Sequence, residues 1–595
     1  MMTLPDSNDR LALLGSLELF ETLGADALLA VENAVDWVEV PAGAEVFREG
    51  DPSDAVYLVA HGRLGVLKHD EFGDQRVVRE IGAGQPVGEL GLLLDQPRSA
   101  TVTALRDSIL VRLDRASFER LIELQPAALL PLSRRIAERL VVTSEQALSR
   151  GPAPVWLVVA ASPSVTLSEL WHDLAALLES NGARCMTASD LARACGGSGR
   201  IEPTRAARWL EVQARGGQSI FVLGEDSSSI RMLAPSVDRT LVVADAEQSV
   251  GIGPLEDHFT VLRARGVPAA LDLVLLQRSD RLPQCTAAWL DHVQPARHHH
   301  LRRDDRHDLE RLARKLTGRA VGLALGGGGA RAFVHIGVIR ALREAGIPID
   351  FVTGTNIGAV IGAQLALGWE PDRMLEANGR EWPWVGRDLT LPFVSLIGGR
   401  NLRALMRRMF DDVTIENLWL DFRCVTVDLS WCRLVAHRSG PLSTWVRASA
   451  SVPGIHPPVV HAGRLYVDGG LIQNVPTELT REAGAGRVIS VDPSPFRRQT
   501  IDERIEEAPT GLGFLLQCLP VVGTGFPSVV SLIYRALSVA RQFRQRESKA
   551  RSDLYIEPPV DRFGITDYSC VAEIAEFGYE ETQRRLERDG GLFLT

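Results

Sequence analysis

The first regular pattern along the chain is a series of short apolar runs. Between residues 38 and 114, the runs AVYLVA, RLGVLK, RVVREI and SILVRL are separated by turns that contain Gly, Asp or Pro. Short apolar runs bounded by such turns are typical of β-strands. From residue 116 to residue 149 the apolar positions recur with the period of a helix instead. We therefore predict a small all-β barrel with a C-terminal helical segment over residues 15–150.

A different alternation follows between residues 155 and 290. Apolar runs such as VWLVVAA, RTLVVAD and ALDLVLL alternate with helical stretches such as LSELWHDLAALLESNG. Strands that alternate with helices predict an α/β layer with a parallel sheet. The stretch holds no G-x-x-x-x-G-K-S/T sequence that would cradle a phosphate, so nucleotide chemistry is unsupported there. The pattern predicts an α/β, Rossmann-like connecting domain over residues 151–300.

A third block begins with a charged helical stretch at residues 301–315 and continues into the strand AVGLAL and a glycine run. It predicts a second α/β domain over residues 301–595. Within it, residues 508–534 are uncharged but are interrupted by Pro509, Pro520 and Pro527. Such a stretch favours a flap or surface helix over a membrane span. The following residues, to 546, mix apolar side chains with arginines, which suits either packing or a membrane interface.

Composition narrows the function classes. A net charge of -10 without a long basic run argues against a nucleic-acid partner, because phosphates require clustered Lys and Arg. The seven cysteines are scattered and lack Cys-x-x-Cys spacing, which is typical of a reducing compartment. The first residues lack the basic and apolar regions of a signal peptide. We expect a cytoplasmic protein that lies at the inner face of the membrane.

One motif in the barrel region carries ligand-binding chemistry. The segment GQPVGELGLLLDQPRSATVTA contains Gly88, Glu89 and Leu90, followed by Arg98 and Ser99. It resembles the phosphate-binding cassette of cyclic-nucleotide-binding domains, which implies a jelly-roll-like barrel. In that fold, backbone N–H groups and Arg98 would bind the cyclic phosphate while Glu89 accepts from a ribose hydroxyl. The ligand would be cAMP or cGMP. The alternative is a barrel without a ligand, in which Glu89 and Arg98 pair across the turn.

The glycine run of the third block suggests a second site. Gly326, Gly327, Gly328 and Gly329 let the backbone approach a ligand closely, and their N–H groups precede a helix. Such a loop can bind a developing oxyanion. A dinucleotide turn is the other interpretation, but the strand-turn-helix elbow that follows after about 25 residues argues against it. We predict an oxyanion loop that Arg331 holds or charge-assists.

The elbow carries an unexpected residue. A nucleophile elbow has the pattern G-x-S-x-G, and here Gly354 and Gly358 flank Asn356. Together with WVRASASVPGIHPPVV and GRLYVDGGLIQNVP, these blocks resemble the patatin-like phospholipases, in the neuropathy-target-esterase branch. The resemblance implies an α/β hydrolase domain with a Ser-Asp dyad, in which Asp468 is the aspartate and Asn356 occupies the nucleophile position. It also implies a glycine where this chain has Ala332.

Two functions from different classes remain open. The nitrogen of the Asn356 amide is delocalised into the carbonyl and provides no alkoxide, so ester hydrolysis would be lost or crippled. The chain would then be a pseudoenzyme that binds phospholipid or lysophospholipid at a membrane surface, with no cofactor. The alternative is an active lipid esterase of the lysophospholipase type whose serine has been replaced by engineering.

The remaining candidates are histidines. His298, His299 and His300 are consecutive, which differs from metal-ligand spacing, so we interpret them as linker residues and predict no metal site. His335 follows the glycine run by one helical turn, and we interpret it as a buried helix residue rather than as a catalytic base.

Overall fold

A computed structural model of the chain forms two compact units, residues 1–277 with 287–301, and residues 278–286 with 302–595. The structure describes residues 7–15, 17, 20, 24–69, 75–124, 153–161, 165, 167–195, 203–214, 216–264, 270–391, 393–493 and 544–589.

The first unit contains the predicted β-rich fold. Its strands are β1 Asp36–Val40, β2 Glu45–Phe47, β3 Ala55–His61, β4 Arg63–His69, β5 Gln75–Gly82, β6 Pro86–Val87, β7 Thr101–Ala104 and β8 Ser108–Asp114. They form two four-stranded sheets in the orders β1-β8-β3-β6 and β2-β7-β4-β5, with antiparallel pairing. Alternate residues of β3 pack into different apolar clusters. Val56 and Leu58 belong to one cluster, and Val59 belongs to the other. This two-residue period is the one that the apolar runs predicted.

Helices accompany this barrel. They are α1 Ser7–Gly15, α2 Ala25–Glu32, α3 Glu89–Leu93 and α4 Arg115–Leu124. Helix α4 is the start of the predicted C-terminal helical segment, and residues 125–149 of that segment lie outside the described residues.

The rest of the first unit is the predicted α/β layer. Its strands are β9 Val155–Ala160, β10 Arg184–Thr187, β11 Ile220–Leu223, β12 Arg239–Asp245, β13 Leu271–Gln277 and β14 Arg297–Arg302. Its helices are α5 Leu167–Ser180, α6 Ala188–Ala194, α7 Pro203–Ala214, α8 Ser227–Leu233, α9 Glu256–Ala264 and α10 Thr286–Val293. The sheet has the order β10-β11-β9-β12-β13-β14, and the pairs from β10 to β13 are parallel. Every residue of β13 is buried, as in a parallel sheet covered on both faces.

The interpretation of the three consecutive histidines as a linker is wrong, because they belong to β14. Alternation along this strand directs neighbouring side chains to opposite faces. Arg297 at its start pairs with the buried carboxylate of Asp272 at 3.0 Å. Charge pairing of this kind fixes the edge of the sheet, where the sequence alone suggested only a junction.

A buried ion-pair cluster joins the barrel to the α/β layer. Asp238 Oδ1 lies 3.0 Å from Arg63 Nε and 3.3 Å from Arg106 Nε. Arg106 also donates to the carbonyl of Ser236 at 2.6 Å. Two buried guanidiniums that share one carboxylate hold these two layers of the first unit together.

The second unit is built around one eight-stranded sheet. Its strands are β15 Val321–Leu325, β16 Phe351–Gly354, β17 Asp421–Asp428, β18 Arg433–His437, β19 Val459–His461, β20 Arg464–Asp468, β21 Arg487–Val491 and β22 Leu554–Ile556. The order is β19-β20-β17-β16-β15-β21-β22, with β18 added to β17. The pairs from β17 to β22 are parallel, and those of β17 with β18 and β20 are antiparallel.

Helices cover this sheet. They are α11 Arg306–Leu316, α12 Val334–Glu344, α13 Ile357–Ala366, α14 Pro371–Glu381, α15 Arg400–Phe410, α16 Leu442–Ser449, α17 Thr477–Glu482 and α18 Val571–Asp589. The charged helix predicted at residues 301–315 begins only at Arg306, because the side chain of Asp305 caps it by accepting from His307 N at 2.9 Å. Strands β15 and β16 are fully buried between helices, which explains their continuous apolar sequences.

Within the described ranges, no helix is both long and apolar enough to cross a bilayer. The predicted flap at residues 508–534 lies outside these ranges.

Candidate functional site

A sharp strand-to-helix turn positions Asn356. Strand β16 ends at Gly354 and helix α13 begins at Ile357. Asn356 between them has φ 54° and ψ -127°, a conformation that L-residues rarely adopt. The flanking glycines are required by space, since a Cβ at Gly354 would lie 2.5 Å from Gly358 O and one at Gly358 would lie 2.4 Å from Leu325 O. This strained turn has the backbone form of a nucleophile elbow.

The side chain of Asn356 connects two parts of the site. Its Nδ2 donates to Asp468 Oδ2 at 3.0 Å, and its Oδ1 accepts from Gly329 N at 3.4 Å. Since the carboxylate only accepts and the backbone N–H only donates, one orientation of the amide satisfies both contacts. Asn356 and Asp468 are both buried. The amide therefore occupies the space between the glycine loop and the aspartate.

Asp468 lies at the end of β20, which pairs with β17. Its Oδ1 accepts from Gly470 N at 2.8 Å, and its backbone N–H donates to Ser451 O at 3.0 Å. Gly469 must be a glycine, because a Cβ there would lie 2.6 Å from Val425 O. These contacts fix the carboxylate with its second oxygen directed at the elbow.

The glycine loop follows β15. Gly326 N donates to Val491 O at 3.0 Å, and Gly329 has φ 58° with no room for a side chain beside Ile565 O. Gly327 and Gly328 are buried, and their N–H groups donate to no other described residue. Buried N–H groups without a partner are rare in folded proteins. They are suitable donors to an oxyanion that forms beside the elbow.

Arg331 and Ala332 lie in the short 3₁₀ helix Gly329–Phe333. Arg331 Nε donates to Phe563 O at 2.6 Å, and Nη2 donates to Asp561 O at 3.4 Å. The guanidinium thus holds the loop through the 561–563 segment. Ala332 has a negative φ and is buried in the main apolar core of the unit. Its Cβ is accommodated without the strain that the comparison with a glycine suggested.

Two residues that the sequence did not single out complete the site. Ser449, the last residue of α16, accepts from Asn356 N at 2.9 Å and donates to Val425 O at 2.7 Å. Asn474 Nδ2 donates to Gly327 O at 3.0 Å, and its carbonyl accepts from the hydroxyl of Thr355. Thr355 is therefore directed away from the elbow tip. These contacts join residues far apart in the chain, so no local pattern indicates them.

His335 binds the glycine loop through a backbone carbonyl. It is fully buried, its Nε2 donates to Gly326 O at 2.7 Å, and burial lowers the pKa of its imidazole to about 4. The ring is thus neutral and has a structural role. Among the described residues, no group of His, Cys, Asp or Glu is arranged to hold a metal ion.

The motif in the barrel is a separate cluster of residues around Arg98. Gly88 has φ 81°, and a Cβ there would lie 2.2 Å from Arg98 Nη1. Arg98 donates to Gly88 O at 2.9 Å and to Ala55 O at 2.7 Å. Its Cζ also lies over the ring of Phe47, 4.2 Å from the ring centroid. Burial lowers the pKa of this guanidinium.

The other motif residues lie around the same turn. Glu89 is buried at the start of α3, Leu90 is half-buried and Ser99 is exposed. Arg98 forms an ion pair with Asp54 at 3.3 Å. The guanidinium is thus held by one carboxylate and by the carbonyl oxygens of Gly88 and Ala55.

Comparisons with known proteins agree with both motifs. A family model described as "Patatin-like phospholipase" matches residues 323–481, and one described as "Cyclic nucleotide-binding domain" matches residues 37–125. Patatin-like phospholipase domain-containing protein 6 of Homo sapiens is 31% identical over 620 residues, covering 92% of this chain and 44% of the relative.

Two further relatives show the same extent. Patatin-like phospholipase domain-containing protein 7 of Mus musculus is 30% identical, over 92% of this chain and 45% of the relative. Lysophospholipase nte1 of Aspergillus fumigatus is 28% identical, over 94% of this chain and 42% of the relative. The chain thus spans less than half the length of these relatives. With both family models matched in this order, the chain carries a cyclic nucleotide-binding domain followed by a patatin-like phospholipase domain, and over most of its length it is similar to patatin-like phospholipases of the neuropathy-target-esterase type.

Proposed function

We propose that this chain binds phospholipid or lysophospholipid in a patatin-type site without hydrolysing it. The observation that carries the proposal is the bridge formed by the Asn356 amide between Gly329 N and the Asp468 carboxylate. The amide takes the contacts that a nucleophile and an oxyanion would use. It has no proton whose removal would create a nucleophile at neutral pH.

The roles of the remaining groups follow from their positions. With a serine at the elbow, Asp468 would accept the hydroxyl proton while the oxygen attacks the acyl carbonyl. The N–H groups of Gly327 and Gly328, which donate to no acceptor within the described ranges, would then stabilise the tetrahedral oxyanion. Without a nucleophile, binding and oxyanion contacts leave roughly a thousandfold acceleration over water. The chain as it stands therefore retains the elbow, the glycine loop and the aspartate, and lacks the attacking atom.

The similarity to lysophospholipase nte1 of Aspergillus fumigatus supports a lysophospholipid as ligand. We further propose that the barrel binds cAMP or cGMP through Gly88, Glu89 and Arg98. The protein would act in the cytoplasm at a membrane surface, where its lipid ligand resides.

The chemical part of this proposal is tested with a fluorophosphonate probe, which labels activated serines. We expect no label on the unmodified chain and specific label on an Asn356→Ser variant. Thr355→Ser is the matched control, since it also introduces a serine beside the elbow tip. That control stays unlabelled because the hydroxyl at position 355 is bound to Asn474 O.

Label on the unmodified chain at the elbow would contradict the proposal. An unlabelled Asn356→Ser variant that is folded, as judged by circular dichroism, would show that a second feature disables the site.

A further inference from the structure

A cavity outside the catalytic site is lined by three arginines. It has a volume of about 250 Å³ and is bounded by Arg403 and Arg407 of α15 and by Ser443, Thr444 and Arg447 of α16. Arg403 and Arg407 are four residues apart, as are Ser443 and Arg447, so each pair lies on one face of its helix. The two helices contact each other. Their facing surfaces therefore present three guanidiniums and two hydroxyl groups to one space.

These three arginines lack counter-charges within the described part of the chain. None forms an ion pair or a side-chain hydrogen bond with another described residue. Helix α15 carries four arginines and no acidic residue, and only Arg408 of the four has a carboxylate partner, Glu381. Burial together with the charges of Arg403 and Arg407 lowers the pKa of Arg447 to about 10. An anion in the cavity would relieve this repulsion.

The cavity is distinct from the elbow site. Ser449, which contacts Asn356, follows Arg447 by two residues on α16. Side chains two residues apart on an α-helix point about 200° away from each other. The arginine cavity therefore lies on the face of α16 opposite to the elbow.

An exposed apolar hairpin directly precedes α15. Leu389 pairs with Ile397, and Gly398 N donates to Asp388 O at 2.7 Å, which closes the turn. Four of its apolar side chains, Leu389, Leu391, Phe393 and Val394, are between 67% and 89% exposed. We call these four residues the apolar hairpin. Such a concentration of exposed apolar side chains marks a contact surface.

The hairpin is fastened to the helix that carries the arginines. The Asp388 carboxylate at its base accepts from Arg400 N at 2.6 Å, at the start of α15. Arg403 lies one helical turn beyond this point. Trp384, just before the hairpin, is half-exposed, and Arg387 lies over its ring at 4.0 Å. Apolar side chains, an interfacial tryptophan and unpaired arginines in adjacent positions are the composition of a membrane interface.

We propose that the apolar hairpin and the arginine cavity form a docking surface for a bilayer that contains anionic phospholipids. The hairpin inserts among the acyl chains, and the cavity holds a lipid phosphate through charge-assisted hydrogen bonds. This identifies the surface behind the proposed membrane contact. Docking is measured as binding of the chain to vesicles and does not depend on hydrolysis. A failure to bind vesicles therefore leaves the proposal on the missing nucleophile intact.

The test is flotation of the full chain with vesicles of phosphatidylcholine alone or with phosphatidic acid added. We expect binding to the anionic vesicles that weakens with salt. Arg447→Gln weakens it about fivefold, and the triple variant with Arg403→Gln and Arg407→Gln weakens it further. Phe393→Ser weakens it about tenfold or more, because the ring leaves the acyl phase.

Matched controls use sites elsewhere on the surface. Arg306→Gln in α11 and Val212→Ser in α7 remove an exposed arginine and an exposed apolar side chain, and both should bind as the parent does. Competition with inorganic phosphate separates the two sources of the anion. Equal binding by parent, Arg447→Gln and Phe393→Ser, or no binding by the parent, overturns the proposal. The proposal is also overturned if the arginine variants lose binding of inorganic phosphate but bind vesicles as the parent does. The cavity would then bind a free anion rather than a lipid phosphate.

Discussion

At the scale of the residue, Asn356 determines what the site can do. The backbone around it has the strained form that presents a nucleophile, and the glycines on either side keep that form. The amide of Asn356 accepts from Gly329 N and donates to Asp468 Oδ2, so it gives hydrogen-bond partners to the glycine loop and to the aspartate at once. A side chain that is chemically inert thus stabilises the elbow, which explains how the architecture persists without a serine.

His335 gives a prediction at the same scale. Burial lowers the pKa of this histidine to about 4, below the value of about 6.5 in an unfolded chain. The unfolded state therefore binds a proton more readily, and the free energy of unfolding should fall as the pH decreases from about 6.5 to about 4. His335→Gln can still donate to Gly326 O but does not titrate. Urea unfolding across this pH range should show a shallower dependence in the variant.

Two other buried histidines contribute to the same pH dependence. Burial lowers the pKa of His437 to about 3 and that of His456 to about 4. His456→Gln is therefore a suitable comparison variant, with a similar reduction expected. An identical pH dependence in the parent and in His335→Gln would contradict a neutral His335 in the folded state.

Sequence reasoning at this scale reached the residues that lie within motifs. The positions of Gly354, Gly358 and Asp468 followed from short patterns, and the structure brings Asp468 to Asn356. Ser449 and Asn474 were missed because their roles come from contacts across the sheet rather than from their neighbours in the chain. The guanidinium of Arg331 holds a segment more than 200 residues away, which no local pattern indicates.

At the scale of the element, helices α12 and α18 cross in close contact at two glycines. A Cβ at Gly337 would lie 1.8 Å from Ala575 O, and one at Gly578 would lie 2.1 Å from Val334 O. Helix α12 follows the glycine loop, so this crossing holds the loop against the sheet. Local propensity could not predict the crossing, since glycine weakens an isolated helix and gains its value only from a close partner.

Two helical glycines make this testable. Gly337→Ala should lower the free energy of unfolding by about 1–3 kcal/mol or more, because the helices must separate. Gly379→Ala in α14 has no heavy atom within 4 Å of the new Cβ. It should raise the free energy of unfolding by about 0.5–1 kcal/mol through helix propensity alone. Chemical unfolding of both variants checks the prediction, and destabilisation of equal size at the two positions would contradict it.

At the scale of the whole molecule, alternating apolar patterns predicted the fold classes correctly. The bounds of single helices and strands differ from the prediction by a few residues. The barrel, the parallel α/β layer and the hydrolase sheet all appear. The helix predicted at residues 301–315 is present from Arg306 onward as α11, while residues 297–302 form β14, an edge strand that its short run of histidines and arginines does not reveal. The polar side chains of such a strand become buried only through tertiary packing, which hydrophobic periodicity does not predict.

The sensor barrel gives a prediction at this scale. Isothermal titration with cAMP and cGMP should show binding to the unmodified chain, and Arg98→Ala should weaken it at least about tenfold, because the cyclic phosphate loses its charged donor. Arg112→Ala is the matched control, since Arg112 is another barrel arginine that pairs with Asp54. Absence of heat from both nucleotides with the parent would reduce the barrel to a structural module.

A single side chain, that of Asn356, is proposed to separate this chain from an esterase. The most direct measurement is lysophospholipid hydrolysis by the parent, by Asn356→Ser, and by Asn356→Ser combined with Asp468→Asn. We predict background rates for the parent, a gain of about a hundredfold or more for the serine variant, and loss of that gain in the double variant. Turnover by the parent that depends on Asp468, or a folded serine variant that remains at background, would contradict this account.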